Sequence, residues 1–129
     1  MTNAFTFLML PPQTELTRQW AKRLANSVPG MNLVVAEDAD TAAAAIVTAD
    51  AVFGTLPPEL LAKAQRLRWL QAPQAAPPAG YYYPELIAHK LTVTNFREIF
   101  NDHISTHIMA FVLAFARGLQ TYIDRKSVV

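Results

Sequence analysis

His103 and His107 stand four residues apart, next to Asp102. Two imidazoles at that spacing share one helical face and can hold zinc, given a third ligand. The metalloprotease form of the pattern also carries a glutamate directly after the first histidine. Here Ile104, Ser105 and Thr106 separate the two rings, so the pair is read as helix residues and no metal is assigned. Dinucleotide chemistry fails on a different count. It needs three close glycines for a tight turn, pyrophosphate approach and helix packing. The four glycines, Gly30, Gly54, Gly80 and Gly118, are too scattered for that turn or for a P-loop. With no cysteine in the sequence, disulfides, thiolate nucleophiles and thiolate metal sites drop out as well. No cofactor is therefore expected in this chain.

Tyr81-Tyr82-Tyr83 suggests a wall facing a substrate, or a platform on which bases stack. A net charge of +1 gives no field to draw nucleic acid or an anionic membrane. Packing beside the adjoining proline-rich stretch, residues 72–80, is the preferred role. Lys63, Arg66 and Arg68 are read as a solvated helix face and its exit rather than a phosphate site.

These residues must hang on the elements around them, and the chain alternates short β-type runs with helical runs. That pattern predicts an α/β fold: a flavodoxin-like open parallel sheet of about five strands with flanking helices. Strands are predicted at 6–10, 31–36, 51–54, 68–71 and 91–95. A helix over 15–27 takes Thr14 as its cap, with Leu16, Trp20 and Leu24 inward and Arg18, Lys22 and Arg23 outward. Asp40 or Thr41 caps an alanine-rich helix to residue 48. Pro57-Pro58 opens a helix carrying Leu60, Leu61, Ala64 and Leu67, and 84–89 forms a short one.

The final element is one long apolar helix over about 102–122. Ile104, Ile108, Phe111, Val112, Phe115 and Leu119 make its stripe, widened by Met109, Leu113 and Ala116. A helix apolar nearly all round expects burial on several sides. Charged residues are only 16% of the chain, against about 25% in ordinary soluble domains, so apolar surface awaiting a partner is expected. The predicted partner is a second copy, in a homodimer through Ile104, Ile108, Phe111, Val112 and Phe115, with helix exchange one form of it. The organisation expected is a domain over 1–100, an interdomain or oligomerisation helix over 101–125, and a tail over 126–129. Asn95, at the end of the fifth strand, is placed to fix the hinge through its amide.

The first apolar run, 5–10, lacks a basic flank and meets Pro11-Pro12, unlike a signal peptide. The longest, 108–116, is too short to span a bilayer. A soluble, cytoplasmic protein is the expectation. Two relatives of the same topology are set aside. A phospho-receiver needs acidic residues after the first strand and an acceptor aspartate after the third, where Pro11-Pro12-Gln13 and Gly54-Thr55 stand. A flavin-binding flavodoxin needs a hydroxyl- and glycine-rich loop in place of residues 11–15.

Within residues 49–118, "ADAVFGTLPPELLAKAQRLRWLQAP", "YYYPELIAHKLTVTNF" and "NDHISTHIMAFVLAFARGL" follow one another. Their order and spacing resemble D-2-hydroxyacid dehydrogenases, over more than half the chain. Residues 1–48 match only in their βαβα pattern. The resemblance implies a two-domain enzyme that reduces 2-oxo acids with NADH or NADPH, with a Rossmann domain inserted after the long helix. It implies that this chain is the substrate domain only, without the Rossmann cofactor domain. The family's catalytic Arg, Glu and His fall after the span covered, so none is carried over and hydride transfer is not expected of this chain alone. NAD or NADP, and a small 2-oxo or 2-hydroxy acid, belong to a longer form.

The family's S-x-G-V-D loop, whose N–H groups meet the substrate carboxylate, aligns with residues 74–78. Ala76 then stands for the glycine and Pro78 for the aspartate, while a second register uses Ala79-Gly80. Gln74, Ala75, Ala76 and Gly80 are the substrate-binding candidates so implied; Pro77 and Pro78 have no N–H to donate. Ser105-Thr106-His107 replaces the family's usual Ala-Glu-His, which removes that glutamate. The rival expectation is a non-catalytic interaction module that dimerises through its last helix.

Overall fold

Successive side chains along a strand point to opposite faces of a sheet, and here both faces are apolar. In the computed structural model, which describes residues 4–125, five strands form one parallel sheet in the order β2-β1-β3-β4-β5. They are β1 (Thr6–Met9), β2 (Asn32–Val35), β3 (Ala51–Phe53), β4 (Trp69–Gln71) and β5 (Thr92–Thr94), each trimmed slightly from its predicted bounds. This is the flavodoxin-like order the βα alternation predicts.

One register row runs Val34, Leu8, Val52, Leu70, Val93, and its middle three side chains are wholly buried. Ala42 of α2 (Ala39–Ala45), Ile46 of the 3-10 turn Ile46–Thr48, Leu60 and Leu61 of α3 (Pro58–Leu61), and Leu86 of α4 (Pro84–Ala88) cover that face. The other face packs Phe7, Met9, Ala51 and Phe53 against Ala21 and Leu24 of α1 (Glu15–Ser27). Crossovers between parallel strands are right-handed. The step from β1 to β2 runs opposite to the later steps, so α1 lies on the face opposite α2, α3 and α4.

Thr14 caps α1 as predicted, in a reciprocal box with Thr17. Thr14 Oγ1 accepts from the Thr17 N–H at 3.1 Å, and Thr17 Oγ1 accepts from the Thr14 N–H at 2.8 Å. The inward face of α1 differs from the prediction: Ala21 is buried and Leu24 half-buried, while Leu16 and Trp20 are exposed. A small residue facing the sheet lets the helix approach closely, which turns its larger neighbours to the rim. The cap of α2 is Asp38, whose Oδ1 accepts from the Thr41 N–H at 2.7 Å, not Asp40 or Thr41. The helix predicted through Leu67 stops at Leu61, although Leu67 is still buried.

Asp50, just before β3, is buried at the amino end of the sheet. Its Oδ2 accepts from the Thr6 N–H at 3.0 Å, and Arg66 Nη2 donates to Oδ1 at 2.9 Å and Oδ2 at 3.1 Å. Arg66 is therefore a strut and not part of a solvated face, whereas Arg68 stays largely exposed at 3.7 Å from the same carboxylate. The Thr6 N–H, and after it Arg66, hold the Asp50 carboxyl below its ordinary range against the opposing effect of burial. A depressed pKa contributes stability that is complete above the unfolded value near ~4 and is lost as pH falls through the folded one. Asp50→Asn is expected to cost about 2 kcal/mol at pH 7, from loss of a charge-assisted bond to a half-exposed partner. The difference from wild type should shrink below about pH 4. Urea unfolding of both proteins at pH 7 and pH 3 checks this; equal midpoints at pH 7 would remove Asp50 from the account.

The described residues form two compact units that divide between Phe96 and Arg97. The second unit holds α5 (Asn101–Ala116) and α6 (Leu119–Arg125) in place of the single long helix predicted. Gly118, at φ +62, ends α5, and its N–H donates to the Phe115 carbonyl at 3.0 Å. A glycine just past the last turn takes the left-handed conformation without a Cβ penalty. The tail 126–129 lies outside the described residues. Among the described residues no helix is long and apolar enough to cross a membrane.

Candidate functional site

Ligands of open α/β sheets bind outside the carboxyl ends of the strands, beside the point where strand order reverses. In this sheet that point lies between β1 and β3. The segments leaving β1, β3, β4 and β5 therefore define where a site would be.

The turn after β1 carries the cis Pro11-Pro12 bond and then Gln13. Gln13 Nε2 donates to the carbonyls of Met9 (3.1 Å), Leu10 (2.9 Å) and Ala36 (2.9 Å), tying the ends of β1 and β2 together. Nothing in the sequence marked Gln13, because one of its partners is 23 positions away. After β3 the backbone of Gly54 takes φ +134, and a Cβ there would lie 2.9 Å from Leu10 Cβ. Only a glycine lets the β1 and β3 exits pass this closely.

Two tyrosines pin the β3 exit from the far side. Tyr81 Oη donates to the Gly54 carbonyl at 2.9 Å, and Tyr83 Oη donates to that of Leu56 at 3.0 Å. Burial, with Tyr82 and Tyr83 adding to it, pushes the Tyr81 phenol up to about 12. At neutral pH it is a hydrogen-bond donor and no base. Tyr82 is exposed and meets Tyr81 edge-on, with ring centroids 5.3 Å apart. The tyrosine run therefore packs and braces, which is the role preferred from the sequence.

The candidate loop after β4 lies at this same edge. The Gln74 carbonyl accepts from the Phe96 N–H at 3.4 Å, which brings the loop against the segment that leaves β5. Asn95, half-buried, immediately precedes Phe96. Ala75 is half-buried, and Gln74 and Ala76 are exposed. The N–H groups of Gln74, Ala75, Ala76, Ala79 and Gly80 donate to no acceptor among the described residues. Gly80 also has a local structural role. It shapes the turn in which the Tyr81 N–H donates to the Pro78 carbonyl, at φ +85. Beside the segments that leave β1 and β3 a crevice of about 310 Å³ opens, lined by Leu10, Pro11 and Thr55 with Asp40, Glu59 and Lys63, and by none of residues 74–80.

A dinucleotide does not fit the residues present. Its phosphates need a glycine-lined first turn and free amides at the helix start. Here Gln13 fills that turn, and Thr14 already takes up the Thr17 N–H. For metal, no group of three or more His, Asp or Glu ligands exists among the described residues. His107 instead meets the Phe111 ring edge-on, with centroids 4.7 Å apart. The α5 stripe is open, with Ile104, Ile108, Phe111, Val112 and Phe115 each between 51 and 68% exposed.

No protein-family model matches the chain, and no curated protein matches it. One solved structure that does is a D-isomer specific 2-hydroxyacid dehydrogenase family protein from Aeromonas salmonicida subsp. salmonicida A449, with a TM-score of 0.64 and 21% identity. The match covers 97% of this chain and 40% of that one. The two share a fold, and this chain spans less than half of its neighbour's length. The family named by the sequence motifs is the family to which that structure belongs.

Proposed function

We propose that these residues are the substrate domain of an NAD(P)-dependent reductase of 2-oxo acids, of the D-2-hydroxyacid dehydrogenase family, and that alone they transfer no hydride. One observation carries this reading: motifs in 49–118 and a fold match over 97% of the chain point to the same family independently. In it, the Ala75 and Ala76 N–H groups face the carboxylate of a small 2-oxo or 2-hydroxy acid, with Gln74 beside them and Gly80 setting the turn. Asn95 stands at the hinge towards the second unit. NAD or NADP, with the acid–base residues, comes from a further domain. The protein is placed in the cytoplasm, in keeping with a sequence free of cysteine.

The intact mass of the protein in its source cells tests this against the 14.3 kDa of these residues. A product roughly two to three times heavier is expected, as a second domain requires. A product at the smaller mass would overturn the reading.

The exposure of α5 favours a second reading, a homodimer through Ile104, Ile108, Phe111, Val112 and Phe115. Light scattering on the purified 129-residue chain across a concentration series is expected to give twice the monomer mass. A constant monomer would end that reading.

A further inference from the structure

Two phenols tie the segment after the 74–80 loop to the exit of β3. Tyr81 Oη donates to the Gly54 carbonyl at 2.9 Å, and Tyr83 Oη donates to the Leu56 carbonyl at 3.0 Å. Both bonds span 27 positions, so residues 81 and 83 lie in register against residues 54 and 56. A buried tyrosine hydroxyl needs one partner, and any nearby carbonyl would satisfy it. Two hydroxyls with the same offset do more, because they hold one stretch of backbone along another.

The other end of the loop is held as well. The Ala72 N–H donates to the Thr94 carbonyl at 2.8 Å, and the Phe96 N–H donates to the Gln74 carbonyl at 3.4 Å. Gly54 joins the two sides, since its own N–H donates to the Gln71 carbonyl at 3.1 Å. Between these ties stand Pro73, Pro77 and Pro78, whose rings fix φ near about −65°. The loop is thus stiff within and fastened at both ends. Its free N–H groups, from Gln74 to Gly80, have no acceptor among the described residues. Donors held still before a ligand arrives bind it without a further loss of freedom, and displacements of about 0.5 Å are enough to spoil such a site.

We infer, on the substrate-domain reading proposed above, that Tyr81 and Tyr83 are positioning residues for ligand binding by the 74–80 loop. Through the carbonyls of Gly54 and Leu56 they set where the free N–H groups of the loop stand, and neither phenol itself touches the carboxylate. Tyr82, exposed between them, has no part in this role.

Titration of the full 129-residue chain with pyruvate at pH 7, followed by NMR at the backbone amides of residues 74–76 and 79–80, tests the assignment. Tyr81→Phe keeps the ring and removes only the hydroxyl. It is expected to raise the dissociation constant for pyruvate about tenfold, with Tyr83→Phe acting in the same direction. Asp50→Asn weakens the sheet at its opposite, amino end and is expected to leave the constant unchanged. A constant shared by wild type and both tyrosine variants would overturn the inference and leave the substrate-domain reading standing. An equal rise in Asp50→Asn would make the loss a general effect of stability and overturn it too. Wild-type amides that pyruvate does not shift would overturn the contact between this loop and a carboxylate, and the positioning role with it. Without pyruvate, Tyr81→Phe is expected to shift the amide resonances of residues 74–76, on the far side of the loop. Unmoved resonances there would overturn the positioning role whatever the titration gives.

Discussion

Gly54→Ala is expected to destabilise the sheet unit by about 3 kcal/mol, the largest loss among the Gly→Ala changes in this chain. Two effects act together at that position. The backbone stands at φ +134, a conformation essentially reserved for glycine, and the new Cβ would lie 2.9 Å from Leu10 Cβ. That neighbouring atom is fixed to the β1 backbone and has no flexible end to swing away. The exits of β1 and β3 must separate, which also pulls the Gly54 carbonyl from Tyr81 Oη. Gly30→Ala separates the two effects, since Gly30 has φ +84 with nothing within 4 Å of the added carbon. It should cost only the backbone term, about 1 kcal/mol. Urea unfolding at an unchanged m value measures both losses. Equal losses would show that the close approach of Leu10 contributes nothing. Because these exits border the switch-point crevice, the result also says how rigidly that edge of the sheet is held.

Purified, the 129-residue chain is expected to oxidise no NADH with glyoxylate, pyruvate or longer 2-oxo acids above the enzyme-free rate. The first βα turn, where a dinucleotide's phosphates would lie, is filled by Gln13. Of the three histidines, His89 follows α4 with its Nδ1 accepting from the Leu91 N–H at 3.1 Å, and His103 and His107 sit on α5, where His107 packs on Phe111. A positioned general acid or base is worth about 10²–10⁴ in rate, and holding two reactants together is worth far more. Losing both takes the reaction to background. Turnover proportional to chain concentration would overturn the substrate-domain reading directly, whatever the mass found in source cells.

Local patterns in the sequence determined much of the architecture. Short β-type runs placed the strands, and the Thr14 cap and Pro57-Pro58 placed helix starts. The βα alternation pointed to a flavodoxin-like order, and the order observed is β2-β1-β3-β4-β5. The apolar run of α5 was equally legible, as was the candidate loop at 74–80. Those signals act within a few residues, which is why reading along the chain finds them. What the tertiary structure alone decided is how distant segments meet. Asp50 clasps Arg66 across 16 positions, Gln13 reaches Ala36 across 23, and Tyr81 holds Gly54 across 27. The same holds for the rotation of α1, which depends on Ala21 fitting the sheet. Each depends on the separation of elements after packing, and periodicity and capping carry no record of that separation.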